Sequence, residues 1–331
     1  MNLPEWLNKP NATRNLDDET FVELLPQLAE QLSGVDYHFS YSEAELKEDW
    51  KKLLAYSKTD PITASQTRPG MKLCEFFFPN FYNIQSPSGK CFKQFWNAQD
   101  LQKVIKWNRS SHSTPYLSEM KRGVNFCYGL TKNTMYRPHL ATTICKHYNA
   151  QVVFDPCCGW GGRMLGAVAA GARYIGCEPN TETYQNLIRL AAFLGIENQV
   201  ELFNLPVEEV DLNLLSYDLV LTSPPYYNLE VYSSEDTQSE NKYASYSDWL
   251  KQWFEPLVLS SATKAKTICW NVADVGKITL QKDFVALMSQ QPEWQEDITF
   301  GIGSSARQAN QNELKNKKNL DKTLVYVRKE A

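Results

Sequence analysis

The chain has 331 residues, of which 43% are hydrophobic, 12% aromatic and 22% charged, enough to bury a core in two domains or in one large domain with an extension. A formal net charge of −4 excludes a protein coated in basic charge, such as a histone-like binder, but leaves room for a local basic surface. No apolar run is long enough to cross a bilayer, and the first residues lack a basic region followed by an apolar stretch, so neither a membrane segment nor a signal peptide is expected.

Residues 1–60 are acidic, with twelve Asp or Glu against six Lys or Arg. Glu43 to Ser57 is predicted as a helix, because Leu46, Trp50, Leu53 and Leu54 recur at helical spacing and Ser42 can cap it. Residues 61–98 are rich in Pro, Gly and aromatics and are expected to form loops and short strands. From Lys90 to Arg137 the charge balance reverses, with nine basic side chains against Asp100 and Glu119 and with aromatics interleaved. This stretch is either a solvated helix face over a core or a groove for nucleic-acid phosphates and bases. In the second case Lys103, Lys106, Arg109, Lys121 and Arg122 are the candidate contacts.

Beyond about residue 130, helices and strands alternate. A helix is expected over Met135–Tyr148, strands at Gln151–Asp155 and Tyr174–Cys177, and helices at Arg163–Ala170 and Thr181–Leu194. Val200–Phe203, Leu219–Thr222, Thr267–Asn271, Asp297–Ile302 and Thr323–Arg328 read as further strands. Such alternation is the pattern of an open, mostly parallel α/β sheet with helices on both faces. The eight cysteines form no C-x-x-C pair and lie mostly beside apolar residues. They read as reduced thiols of a cytoplasmic core, and no metal site is expected.

The most informative turn is Phe154-Asp155-Pro156-Cys157-Cys158-Gly159-Trp160-Gly161-Gly162-Arg163, between the first of these strands and a helix. Its glycines let the backbone turn sharply and let a ligand approach without Cβ clashes. The spacing is neither that of a dinucleotide G-x-G-x-x-G nor that of a phosphate-binding Walker loop, which disfavours a dehydrogenase or an ATPase. Glu178 ends the second strand, where one carboxylate can accept hydrogen bonds from both hydroxyls of a ribose. A ribose acid without phosphate binders points to a nucleoside cofactor lacking phosphates, and S-adenosylmethionine fits.

Asp155-Pro156-Cys157-Cys158-Gly159-Trp160-Gly161 resembles the D-P-F-x-G-x-G motif of class I amino-methyltransferases, with Cys157 in the Phe position. The resemblance implies cofactor contacts from Asp155, Pro156, Cys157, Gly159, Gly161 and Glu178. It also implies that Arg137 and Pro138, in Tyr136-Arg137-Pro138-His139-Leu140, line the methionine end, Arg137 replacing a more usual Lys. Asn204 follows the third strand, where the family usually has Asp on the adenine side.

Thr222-Ser223-Pro224-Pro225-Tyr226 follows the fourth strand and is similar to the (D/N/S)-P-P-(Y/F/W) motif of methyltransferases that alkylate a nitrogen conjugated to a π-system. Such an amino group is a poor nucleophile because its lone pair is delocalised. Acceptors around its N–H bonds, here the Ser223 hydroxyl and the Pro224 carbonyl, draw it towards tetrahedral geometry. Pro224 and Pro225 lack N–H groups, and Tyr226 offers a face on which a base can stack.

Together these features predict a Rossmann-like class I methyltransferase domain with a mostly parallel seven-stranded sheet over residues 121–331. Residues 1–120 are then an α-rich or mixed extension that carries target recognition. Ser223 favours N4 of cytosine over N6 of adenine, in DNA, within a bacterial or phage modification system in the cytoplasm. The resemblance covers about residues 125–331 and does not identify a restriction partner. Residues 227–248 are polar and are expected to form a mobile loop closing over a flipped-out base. Lys315, Lys317 and Lys318, in a basic stretch near the C-terminus, are either further phosphate contacts or a solvated strand end. The rival readings are an RNA amino-methyltransferase and a non-catalytic nucleic-acid-binding subunit of the same fold. A third, a protein-glutamine methyltransferase, is disfavoured by Ser223, where that family usually has Asn.

Overall fold

Short runs rich in β-branched and aromatic residues form the strands of one sheet. The computed structural model describes residues 4–63, 66–111, 113–130, 134–303 and 320–329. Its strands are β1 (Ile62–Thr63), β2 (Val152–Asp155), β3 (Arg173–Cys177), β4 (Val200–Phe203), β5 (Leu219–Thr222), β6 (Thr267–Asn271), β7 (Trp294–Glu296), β8 (Phe300–Gly303) and β9 (Leu320–Arg328). In space they run β1-β8-β9-β6-β5-β2-β3-β4, with β7 also paired to β9. β9 is antiparallel to β6, β7 and β8, and the remaining pairs are parallel. This is a Rossmann-like, mostly parallel α/β arrangement with helices on both faces, as the sequence predicts. Among the described residues the sheet has nine strands rather than seven, because β1 and β7 are too short to leave an alternating pattern in the sequence.

Successive strand residues point to opposite faces. Val153, Tyr174, Leu219, Leu221, Cys269 and Val325 enter one buried cluster, and Phe154, Ile175, Val220, Ile268, Trp270 and Tyr326 enter another. The first cluster is covered by helices Pro138–His147, Gly162–Ala169 and Thr181–Leu194, the second by Glu255–Ala262 and Leu280–Ser289. Burial on both faces explains why these strands read as continuous apolar runs.

The chain forms two compact units. The sheet unit comprises the described residues of Tyr41–Phe78, Thr134–Asn228 and Ser233–Ala331. It takes in the helix Glu43–Leu54, whose Ser42 and Glu45 cap each other's end reciprocally. It also takes in a helix, Met71–Phe77, within the stretch expected to be loops and short strands. Leu46, Leu53, Leu73 and Phe77 of these two helices are buried in the first cluster. The helix expected from Met135 begins at Pro138, in keeping with proline's preference for a first helical turn.

The second unit comprises the described residues of Met1–Ser40, Pro79–Asn133 and Leu229–Tyr232. Its core joins helices Asp18–Ser33, Ala98–Ser110 and Leu117–Tyr128 through Phe21, Leu25, Leu32, Leu101, Ile105, Met120 and Val124. Gly123 lets the last two helices touch, since a Cβ there would stand 2.7 Å from Val104 and 2.9 Å from Trp107. Among the described residues no helix is long and apolar enough to cross a membrane.

Candidate active site

The chain leaves β2 for β3 on one side and later returns to β5 on the other, so a topological switch point lies between β2 and β5. Ligands of open α/β sheets bind at the carboxyl ends of the strands at such a point. Both sequence motifs lie there.

Asp155 ends β2 and is fully buried. Its Oδ1 accepts from the Cys157 backbone N–H at 3.2 Å and from the Thr222 hydroxyl at 2.8 Å. Its Oδ2 accepts from Arg163 Nε and from the Tyr174 hydroxyl, both at 2.7 Å. Arg163 also donates to the carbonyl oxygens of Cys157 and Cys158. Burial opposes the charge on Arg163, but the adjacent Asp155 and Tyr174 outweigh it and raise the guanidinium pKa above its ordinary value. Asp155 and Arg163 therefore act as a brace holding the glycine turn in shape. The Thr222 bond ties this brace to the start of the Ser-Pro-Pro-Tyr segment.

Gly159 and Gly161 have φ of +58° and +72°, a region costly for residues bearing a Cβ. A Cβ on Gly161 would stand 3.0 Å from the Phe78 ring and 3.1 Å from Leu190, and one on Gly162 would run into the Tyr136 carbonyl oxygen. Pro156 is buried, while Cys157 is half-buried beneath the turn. Burial, then the charge of Asp155, hold the Cys158 thiol well above its ordinary pKa, which suits packing rather than nucleophilic chemistry.

Glu178 follows β3 and is 7% exposed. Its carboxylate accepts from the Gly159 and Asn180 backbone N–H groups, each at 2.9 Å. Burial pushes its pKa up to about 8 in spite of these two bonds. Asn204 donates to the Glu178 carbonyl oxygen at 3.0 Å, so it supports this corner of the site. Each oxygen of Glu178 retains a lone pair for a further donor.

Ser223 and Tyr226 are half-buried on either side of buried Pro224 and half-buried Pro225. The Ser223 hydroxyl donates to Asn271 Oδ1 at 3.1 Å, and the Tyr226 hydroxyl to the Asn271 carbonyl oxygen at 3.4 Å. Tyr227 has φ of +55°, a strained value for a non-glycine residue. Its ring sits near Tyr246 and Trp249 and its hydroxyl donates to the Tyr243 carbonyl oxygen at 3.3 Å, which holds that conformation. The polar stretch expected to be a loop carries two short helices, Ser239–Lys242 and Tyr246–Trp249. It is tethered by Lys242 to Glu208 at 2.6 Å and by Glu235 to the Thr181 N–H at 3.3 Å.

Arg137 precedes the helix that begins with buried Pro138 without capping it through its side chain, and its Nη1 is buried with no hydrogen-bond partner among the described residues. Burial, and then the nearby Arg68, lower its pKa.

The five basic residues expected on a nucleic-acid groove divide by environment. Lys106 is exposed, and Lys103 reaches the Cys127 carbonyl oxygen at 2.8 Å beside the Tyr128 ring. Arg122 pairs with Glu119 over the Trp107 ring. Arg109 is held by Asp18 and the Leu16 carbonyl oxygen above the Phe21 ring. Lys121 is 6% exposed and directs its ammonium onto Phe39 and Tyr82. A phosphate contact by Lys121 would require it to leave that aromatic cluster. Lys315, Lys317 and Lys318 lie outside the described residues.

Sequence reasoning missed Arg163, Tyr174, Asn271 and Asp321. Asn271 could have been flagged as a polar residue at the carboxyl end of an apolar strand. Asp321, whose Oδ1 accepts from the Asn271 side-chain nitrogen at 2.7 Å, had no local signal, because the antiparallel pairing of β9 with β6 brings it beside Asn271.

No protein-family model matches this sequence, and no curated protein sequence matches it. Among solved structures it is similar to a candidate RNA methyltransferase from Pyrococcus horikoshii, at 14% identity and TM-score 0.38 over 58% of this chain and 83% of that one. A methyltransferase from Geobacter sulfurreducens matches at 12% identity and TM-score 0.37 over 63% of this chain and 87% of that one. The magnesium protoporphyrin IX methyltransferase from Synechocystis matches at 12% identity and TM-score 0.37 over 60% of this chain and 87% of that one. At such identities the chemistry has to be read from the residues of the site.

Proposed function

We propose that this chain is an S-adenosylmethionine-dependent methyltransferase acting on the exocyclic amino nitrogen of a base in DNA, with N4 of cytosine favoured over N6 of adenine. The observation that carries the reading is the 2.8 Å hydrogen bond from Thr222 to Asp155, which sets the glycine turn and the Ser-Pro-Pro-Tyr segment side by side at the switch point.

The residues fit the cofactor. At Gly159 a Cβ would project into space with no atom nearer than 3.8 Å, Glu178 keeps lone pairs for a ribose diol, and Arg137 has an orphaned buried nitrogen suited to a carboxylate. When bound, S-adenosylmethionine supplies an activated methyl group on a sulfonium. The protein's share is orientation and exclusion of water. Ser223 and the Pro224 carbonyl accept the amino hydrogens and localise the nitrogen lone pair, while Tyr226 supports the base by stacking. Of the five candidate contacts, Lys103 and Lys106 are exposed and meet no carboxylate among the described residues, so they are the ones assigned to a phosphate backbone.

The test is transfer of tritium-labelled methyl from S-adenosylmethionine to duplex DNA, single-stranded DNA and RNA, followed by nucleoside analysis of the product. N4-methylcytosine or N6-methyladenine in DNA supports the reading. Label confined to RNA replaces the polymer, and no label in any polymer refutes base methylation. Ser223→Ala should abolish transfer while cofactor binding survives.

A further inference from the structure

We propose that Asn271 is a positioning residue that commits the Ser223 hydroxyl to donating into the protein, so that Ser223 faces the substrate amino group only as an acceptor. The inference rests on the methyl-transfer reading above and adds what makes a serine competent in that role.

Asn271 is the last residue of β6 and is 7% exposed. One end of its side-chain amide lies 2.7 Å from Asp321 Oδ1 and 2.8 Å from the Lys322 carbonyl oxygen. Both neighbours are acceptors, and only the nitrogen, with its two hydrogens, can satisfy both. The amide oxygen must then face the other way, towards Ser223 Oγ at 3.1 Å. An amide oxygen cannot donate, so the single hydroxyl hydrogen of Ser223 goes to Asn271.

This matters for the nitrogen to be methylated. A freely rotating hydroxyl can point its hydrogen at the incoming amino group, repelling the N–H bonds and competing for the lone pair. Fixed by Asn271, Ser223 presents lone pairs only, as the carboxylate or amide oxygen of an Asp or Asn would. The Tyr226 hydroxyl donates to the backbone carbonyl of the same Asn271, so one residue anchors both ends of the motif. An amide bridge does not pass a proton from Ser223 to Asp321, so the chain of bonds orients rather than relays.

The test is a double-mutant cycle in the full chain. Asn271→Ala should slow single-turnover methyl transfer about tenfold, the effect of one misplaced hydrogen bond, with cofactor Kd and polymer KM within about twofold of wild type. Ser223→Asn carries its own amide acceptor, and in that background Asn271→Ala should cost less than about twofold. Asp321→Leu removes one of the two acceptors that hold the Asn271 nitrogen and provides a second route: a selective loss in kcat is expected, smaller than that of Asn271→Ala because the Lys322 carbonyl oxygen still accepts from the amide. In spectra of the protein labelled with 15N-asparagine, the Asn271 side-chain hydrogens should exchange slowly in wild type and in Ser223→Ala alike.

Equal losses in both serine and asparagine backgrounds would reduce Asn271 to a structural support and overturn the proposal. So would wild-type rates in Asn271→Ala, or rapid exchange of its amide hydrogens. Failure of the wild-type chain to methylate any polymer overturns the functional reading and this inference together. Transfer by wild type with Asn271→Ala unimpaired overturns this inference alone.

Discussion

Replacement of Glu178 by Gln should change how cofactor affinity depends on pH. The Glu178 carboxyl is buried against the glycine turn and its pKa is pushed up to about 8. On the proposed reading ribose hydroxyls donate to it, so binding favours the ionised form and releases a proton wherever the free carboxyl is protonated. Affinity must therefore rise with pH. With a pKa near 8, only about one carboxyl in eleven is ionised at pH 7, so affinity should gain about tenfold between pH 7 and pH 9. It should fall about tenfold again between pH 7 and pH 6. Glu178→Gln removes the charged acceptor, worth about 1.5–3 kcal/mol, so it should weaken binding roughly ten- to a hundredfold at pH 9. The two proteins should converge near pH 6, where wild type has to lose its proton before it can bind. Adenosine is the better probe for calorimetry, because it keeps the diol but carries no group that titrates across this range. Wild-type affinity that is flat or falls with pH, or a Glu178→Gln deficit that is the same at every pH, would refute a ribose contact by Glu178.

Three further variants test the separate parts of the reading. Arg163→Met leaves Asp155 as an uncompensated buried charge and should destabilise the sheet unit by about 3–5 kcal/mol, seen as a fall in Tm of roughly 10 °C or more. A near-normal melting curve would show that the pair is not a brace. Gly161→Val places a β-branched residue at φ of +72°, against Phe78 and Leu190, and should abolish S-adenosylmethionine binding by calorimetry while leaving helical circular dichroism largely intact. Reversing the charge at Lys103 and Lys106 together should weaken DNA binding and lower its dependence on salt, with no change in cofactor affinity. Unchanged DNA binding would assign these lysines to a solvated helix face.

How much could be read from the sequence depended on whether a residue's role is local. The strands Leu219–Thr222 and Thr267–Asn271 match expectation to the residue, because strands buried on both faces are largely apolar, and the edge strand Val200–Phe203 matches as well although its Glu201 is exposed. The glycine turn and the Ser-Pro-Pro-Tyr segment were legible because their backbone demands require particular residues in consecutive positions. The helix Met71–Phe77 was hidden by Gly70, which reads as a loop residue but sits at the helix N-cap with φ of +82°. β1 was hidden by its length, and the pairing of β6 with β9 by the separation of 50 positions from Asn271 to Asp321. The basic run from Lys90 to Arg137 shows the limit of counting charges. Arg109 and Arg122 each meet a carboxylate, and Lys121 is enclosed by rings, so the sequence surplus overstates the cations presented to solvent.

Asp155 alters how the first motif is understood. Its position invites assignment to the cofactor, yet both of its oxygens already accept from Arg163, Tyr174, Thr222 and the Cys157 N–H. A carboxylate so engaged contributes to binding through the backbone it shapes rather than by direct contact. Because Thr222 is one of its partners, the same carboxylate fixes where Ser223 begins. The distance between a cofactor cradle and an acceptor for the substrate amino group is set in a methyltransferase by the path the methyl must travel, and an error of about 1 Å costs about a hundredfold in rate. A buried, fully bonded Asp155 between the two loops holds that distance more rigidly than contacts made by the loops with solvent-exposed partners could. On the proposed function, the side chain that looks most like a ligand contact in the sequence is therefore better understood as the link that keeps the two segments in register.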